Sequence, residues 1–181
     1  MRLRQSILFL LLALQLMPSA TADEQVQAGE YRIKAAFLYN FGKFIKWPRA
    51  AFDDKRSPFV VGVIDQVVCD AVDSVIGKKS IHDRPIKVVC FAPDAVGFCH
   101  ILFVPRSFAA DIPAILEKTT GQRILTASEV PGFATAGGVV NFVLDGDRVQ
   151  FEINLDRAKS QKLKPSSKLL NLAILVEDDS Y

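Results

Sequence analysis

The chain predicts an α/β fold with a mostly parallel sheet and a C-terminal β-hairpin in a single domain. Two observations carry this. Apolar runs of strand length at Phe59–Ile64, Ile86–Phe91 and His100–Val104 alternate with stretches of helical periodicity, the pattern of strand–helix–strand units. Farther on, Asp145-Gly146 separates the apolar runs Val139–Leu144 and Val149–Asn154, a strong hairpin signal.

The N-terminus precedes the domain. Arg2 and Arg4, the apolar run Ile7–Leu16 and the small residues Ala20-Thr21-Ala22 have the form of a secretory signal peptide, with cleavage expected after Ala22. The run is about half the roughly 20 residues that a bilayer core needs, so removal is expected rather than anchoring. Residues 23–181 then form the domain. Cleavage takes Arg2 and Arg4 from the 22 Lys/Arg of the chain, leaving 20 against 20 Asp/Glu. A product of zero formal charge has no electrostatic case for nucleic acid. Charged residues interrupt every later apolar stretch, so the mature chain is not expected to span a membrane.

The first element is a helix over Gly29–Trp47, stopped by Pro48. Ile33, Phe37, Leu38, Phe41, Phe44 and Ile45 form its apolar stripe, and Lys43 and Lys46 complement the dipole near its end. Phe59–Ile64 is apolar throughout, which predicts a strand covered on both faces. A helix over Val67–Ile76 follows, with Gly77 as its stop. Strands are expected at Ile86–Phe91, His100–Val104 and Arg123–Thr126, with a helix at Ile112–Lys118. In the second hairpin strand Val149, Phe151 and Ile153 face one way and Gln150, Glu152 and Asn154 the other, so one face is wet. A helix over Asp156–Lys162 and another capped by Ser166 or Ser167, carrying Leu169, Leu170, Leu172 and Ala173, complete the domain.

Cys69, Cys90 and Cys99 form an odd set, so one bridge at most exists and three pairings are open. Cys90 lies inside an apolar strand, where a thiol packs as a small hydrophobe. Cys69 and Cys99 stand at element edges, where a bridge is sterically easier. The expected pairing is Cys69 with Cys99, leaving Cys90 free and buried. It would close a loop of about 30 residues and contribute roughly 3 to 4 kcal/mol in the chain-entropy model, a structural role.

Catalytic chemistry is thin. His82 falls in a turn-like stretch and His100 opens a strand. Cys90, Cys99 and His100 do not make a zinc set, because adjacent strand residues point to opposite faces and a fourth ligand is missing. Asp145 and Asp147 lack the further oxygen ligands of a calcium loop. Gly132–Gly138 has neither phosphate-loop nor dinucleotide spacing, and reads as tight packing or a bend before a strand. No metal, cofactor or catalytic residue is expected. The chain reads as a binding protein.

Three segments resemble a known family. Tyr31–Pro48 is similar to the opening helix of the YfiR-like periplasmic proteins. Val140–Val143, Arg148–Leu155 and Leu163–Ala173 resemble that family's C-terminal pattern, and Cys99–Val104 is a third, shorter match. The resemblance implies a regulator in the periplasm with a Rossmann-like three-layer arrangement, often a homodimer, that binds the periplasmic sensor domain of a membrane-bound diguanylate cyclase and so limits cyclic-di-GMP and biofilm formation. It also implies a structural bridge at Cys69 and Cys99. The family's best-known form has a second bridge, whereas this chain has no cysteine after Cys99, and Pro165 stands where an aliphatic residue is usual. The expected partner contact is Glu152, Asn154, Ser167 and Lys168, on the wet hairpin face and at the start of the last helix. The rival expectation is a small-molecule-binding module whose α/β crevice reports a ligand to another envelope partner.

Overall fold

A computed structural model describes residues 22–146 and 148–179. The expected signal peptide, Ala22 apart, lies outside the described residues.

Helix α1 spans Ala22–Phe44. Its core stripe is Tyr31, Ala35, Leu38, Phe41 and, just beyond the helix, Ile45, with steps of four, three, three and four residues. Leu38, Phe41 and Ile45 belong to the expected stripe, Phe37 and Phe44 are half-buried, and Ile33 is exposed. The helix ends before Trp47 because Ile45–Lys46 (β1) pairs antiparallel with Lys164–Pro165 (β9, below).

Strand β2 (Phe59–Ile64) follows and is buried at every position, as a strand covered on both faces must be. Asp65 then caps α2 (Gln66–Ile76), accepting the Val68 N–H at 3.0 Å. The chain continues through β3 (Ser80–Ile81), β4 (Arg84–Phe91), β5 (Ile101–Val104), α3 (Ile112–Thr119) and β6 (Leu125–Ser128). After β6 it runs through β7 (Val140–Asp145), β8 (Arg148–Asn154), α4 (Leu155–Ser160), β9, α5 (Ser167–Leu170) and β10 (Ile174–Val176).

Eight strands make one sheet in the order β10-β8-β7-β6-β5-β2-β4-β3. Strands β2, β4, β5, β6 and β7 are parallel, and β7–β8 is the expected antiparallel hairpin, with Phe142 opposite Phe151. Strand β2 has β4 on one side and β5 on the other, so the winding reverses there, the doubly wound arrangement.

The two sheet faces carry separate cores. Val61, Val63, Phe103, Leu125, Phe142 and Phe151 pack under α1 and α2, with the Phe41 and Phe151 ring centroids 5.1 Å apart. Val60, Ile64, Leu102 and Val104 pack under Ile112 and Ile115 of α3. Each fully buried side chain of this size contributes about 1.5–3 kcal/mol, which fixes the strand phase.

That phase corrects the expected disulfide. Cys69 bonds to Cys90, with Cα atoms 5.8 Å apart, and Cys99 is the free, buried thiol. Cys90 is in register with Val63, on the face that α2 covers, so Cys69 of that helix meets it. Cys99 belongs to the core of the other face, and the sheet stands between it and Cys69. Cys90 is exposed rather than buried, because only the two-residue strand β3 lies beyond β4.

The last segment also departs from expectation. Ser166 caps α5, which stops at Leu170, and Ile174–Val176 turns back to pair parallel with β8. The expected Gly132–Gly138 bend is present: Gly132 and Gly137 have positive φ (78° and 107°), and a Cβ on Gly138 would meet the Phe133 ring at 2.1 Å.

Candidate functional site

Of the four residues expected to meet a partner, three lie where one could reach them. Glu152 is half-buried on the wet hairpin face and accepts a 3.0 Å hydrogen bond from the Asn141 side-chain amide. Ser167 and Lys168 are exposed on α5, and the Lys168 ammonium lies 5.3 Å from the Phe44 ring centroid. Asn154 is fully buried. Its Oδ1 accepts the Arg157 N–H at 3.0 Å, capping α4, while Nδ2 donates to the Ala134 carbonyl at 2.9 Å and to Asp178 at 2.8 Å. Asn154 is therefore an internal strut and offers no contact surface.

Beside Glu152 the sheet ends in an apolar edge. Ile174 of β10 is in register with Glu152, and Leu172, Ile174 and Leu175 are 70%, 45% and 54% exposed. Beyond β10 the sheet has no further strand among the described residues. Edge backbone groups next to exposed aliphatic side chains are suited to association. Glu152 and this edge form the candidate contact surface, whereas Ser167 and Lys168 sit on α5, which packs through Leu169 on the opposite sheet face, that of Phe151 and Ile153. Sequence periodicity did not mark Ile174 and Leu175, because a three-residue strand carries too little alternation to show.

A second feature lies at the carboxyl edge of the sheet, where doubly wound folds hold ligands. Lys34 of α1 and Glu129 just after β6 are both buried and form an ion pair. Glu30, one helical turn before Lys34, is a second carboxylate on the same ammonium. Glu129 also accepts from the Tyr31 hydroxyl and from the Arg106 N–H, each at 3.0 Å. Burial holds the Lys34 ammonium below the ordinary lysine range, opposed by its hydrogen bond and ion pair with Glu30. Burial raises the Tyr31 phenol. A cavity of about 280 Å³ adjoins the pair, with Arg106 on its polar side and Phe142, Leu144 and Val149 on its apolar side. The sequence held a sign of this cluster: Lys34 falls within the Tyr31–Ala35–Leu38 stripe, where an apolar residue belongs.

His100 is a core group. Its Nδ1 accepts the Val60 N–H at 3.0 Å and Nε2 donates to the Ala51 carbonyl at 2.9 Å, which defines a neutral ring. Phe52 and Phe59 stack on it with centroids 4.4 and 4.7 Å away. Burial lowers its pKa to about 4. Cys99 is equally enclosed, and burial pushes its thiol up to about 12, leaving no thiolate near neutral pH. Among the described residues, no three His, Cys, Asp or Glu side chains come together as a metal site, and no helix is long and apolar enough to cross a membrane.

Two solved structures are similar to the chain, and the first shares its general fold. The ABC domain from Streptococcus pneumonia in complex with L-Trp matches with a TM-score of 0.53 at 10% identity, covering 78% of this chain and 60% of that one. A conserved domain protein from Vibrio cholerae O1 biovar El Tor strain N16961 matches with a TM-score of 0.49 at 8% identity, over 65% and 54%. The chain thus spans roughly half to three-fifths of their lengths. No curated protein sequence matches it. The family model described as DUF4154, YfiR/HmsC-like, matches residues 31–174, from the core tyrosine of α1 to the first residue of β10. The chain belongs to the YfiR/HmsC-like family.

Proposed function

We propose that the chain is an exported regulator, acting in the periplasm by binding, that restrains a membrane-bound diguanylate cyclase through the cyclase's periplasmic sensor domain. Restraint is then a population shift: the regulator holds the inactive sensor conformation more tightly than the active one, and so limits cyclic-di-GMP and biofilm formation. The observation that carries this reading is the family match over residues 31–174. The candidate surface supports it. Glu152 supplies a polar group in register with Ile174 at the apolar edge of Leu172, Ile174 and Leu175, and Ser167 and Lys168 are exposed on α5. Asn154 acts behind that surface, holding the end of β8 to α4. A homodimer and cleavage after Ala22 belong to the same proposal.

The rival reading, a small-molecule module, draws on the carboxyl-edge cavity. Against it, the protein's own Lys34 and Glu129 satisfy each other where a ligand's charged group would bind.

The test is a cell strain in which cyclic-di-GMP depends on one candidate cyclase. Restraint by the parent chain, lost on Glu152→Lys or Leu175→Glu with the protein still folded and exported, is the expected result. Unchanged restraint in both variants removes this surface, and absence of restraint by the parent removes the function.

A further inference from the structure

The carboxyl-edge crevice and the β10 edge leave one large cavity without a role. It opens at the opposite, amino edge of the sheet, measures about 550 Å³, and is floored by Trp47, Pro48 and Leu163. Its other lining residues are Lys46, Lys159, Lys162 and Lys164. Among the described residues, only Lys159 of these has a carboxylate partner, Asp156 at 2.8 Å, and that pair is exposed.

Three of the lysines occupy positions that local energetics disfavour. Lys46 of β1 and Lys164 of β9 are directly opposite one another in the antiparallel pair, and like charges so placed repel. Lys162 has φ 60°, in the left-handed region. It closes α4 in a Schellman turn, with Lys162 N–H bonded to Lys159 O at 2.8 Å and Leu163 N–H to Ala158 O at 2.9 Å, and that position favours glycine. The dipole of α4 accounts for Lys159 and Lys162, but not for Lys46 facing Lys164. Breaches of local preference that converge on one cavity mark a site where another requirement prevails.

The floor is rigid and apolar. The Trp47 indole N–H donates to the Arg123 carbonyl at 3.1 Å, and its ring stands edge-on to Phe59 with centroids 5.0 Å apart. We propose that this cavity binds small phosphorylated molecules whose apolar or aromatic body rests on Trp47 and Leu163 while the phosphate meets the lysines. A single carboxylate would leave most of the cationic charge uncompensated, whereas a phosphate monoester brings a charge of about −1.5 to −2 and three acceptor oxygens. Lysines bind such groups as point charges without fixed geometry. The cavity volume lies in the range of small-molecule sites. This proposal does not rest on the regulator reading.

Trp47 is the sole tryptophan of the chain, so its fluorescence reports the cavity directly. Titration of the purified protein with phenyl phosphate is expected to give a saturable change, weaker with inorganic phosphate and absent with phenol or with sodium chloride at equal ionic strength. Lys164→Gln should weaken binding about tenfold, as loss of a charged hydrogen-bond partner does, while thermal stability holds or rises because the facing charge is gone. Lys162→Gly should likewise bind less and melt higher. No saturable change, a response reproduced by salt, or parent-like affinity in both variants overturns the proposal. So does lysine-dependent sedimentation with phosphatidylglycerol vesicles without any response to phenyl phosphate, which would make the face a membrane contact.

Discussion

Lys34 and Glu129 lie 95 residues apart in sequence and form a buried ion pair that fastens α1 to the carboxyl edge of the sheet. Both charges are removed from water, so each depends on the other and on the Tyr31 hydroxyl and Arg106 N–H that complete the Glu129 shell. Lys34→Met should cost about 3–5 kcal/mol in urea unfolding, since it leaves a carboxylate buried without its cation. The double variant Lys34→Met/Glu129→Gln should recover much of that loss. A double variant no more stable than Lys34→Met alone would show that the two residues do not act as a pair.

Asn154 ties three segments together through hydrogen bonds to Arg157, Ala134 and Asp178. Asn154→Ala removes a helix cap worth about 1 kcal/mol and leaves the buried Ala134 carbonyl short of a donor, at about 1–3 kcal/mol more. The expected loss is therefore about 2–4 kcal/mol by chemical denaturation. Asn154→Asp keeps the cap acceptor but sets a buried carboxylate against Asp178 and the Ala134 carbonyl, and should be no more stable than Asn154→Ala at neutral pH.

Much of this architecture is legible in the chain because burial imposes period. Phe59–Ile64 is apolar at every position and lies at the centre of the sheet, and the Asp-Gly signal sits at the hairpin that joins Phe142 to Phe151. The disulfide was not legible. Choosing Cys90 over Cys99 for Cys69 requires knowing which sheet face each cysteine occupies, and that follows from the pairing of β4 with β2, a contact distant in sequence. The candidate surface was half legible. Glu152 stands on the wet face as alternation predicts, whereas its neighbour Asn154 on the same face is covered by the Ala134 loop, which no strand pattern reveals. Lys34 interrupts the apolar stripe of α1 in the sequence, but hydropathy carries no information about a partner 95 residues away.

His100 gives the fold a defined acid limit. Its pKa is about 4 in the folded protein, lowered chiefly by burial, against about 6.5 in an unfolded chain. Between these values the unfolded chain takes up a proton that the folded one refuses, so stability rises with pH across that window. The contribution is complete above pH 6.5, is lost as pH falls toward 4, and amounts to about 3 kcal/mol. His100→Gln should be less stable at pH 7, having lost the stacked ring, yet show a shallower decline between pH 6.5 and 4. An equal slope in parent and variant would assign the decline to carboxylates instead.

The cysteines separate by accessibility as well as by sheet face. With Cys69 and Cys90 joined and Cys99 enclosed at a pKa of about 12, the oxidised native protein should not react with iodoacetamide at pH 7.5. Unfolding without reductant should expose one thiol, and peptide mapping should place the label on Cys99. Reduction should then lower stability by about 3 kcal/mol, because the bridge joins residues 21 apart and its loss frees that loop in the unfolded chain. Cys99→Ser places a hydroxyl in the apolar core of Val60, Leu102 and Ile115 and should destabilise the fold while leaving the bridge intact. Label recovered on Cys90 from the oxidised protein would reverse the assignment and require β4 to present its other face to α2.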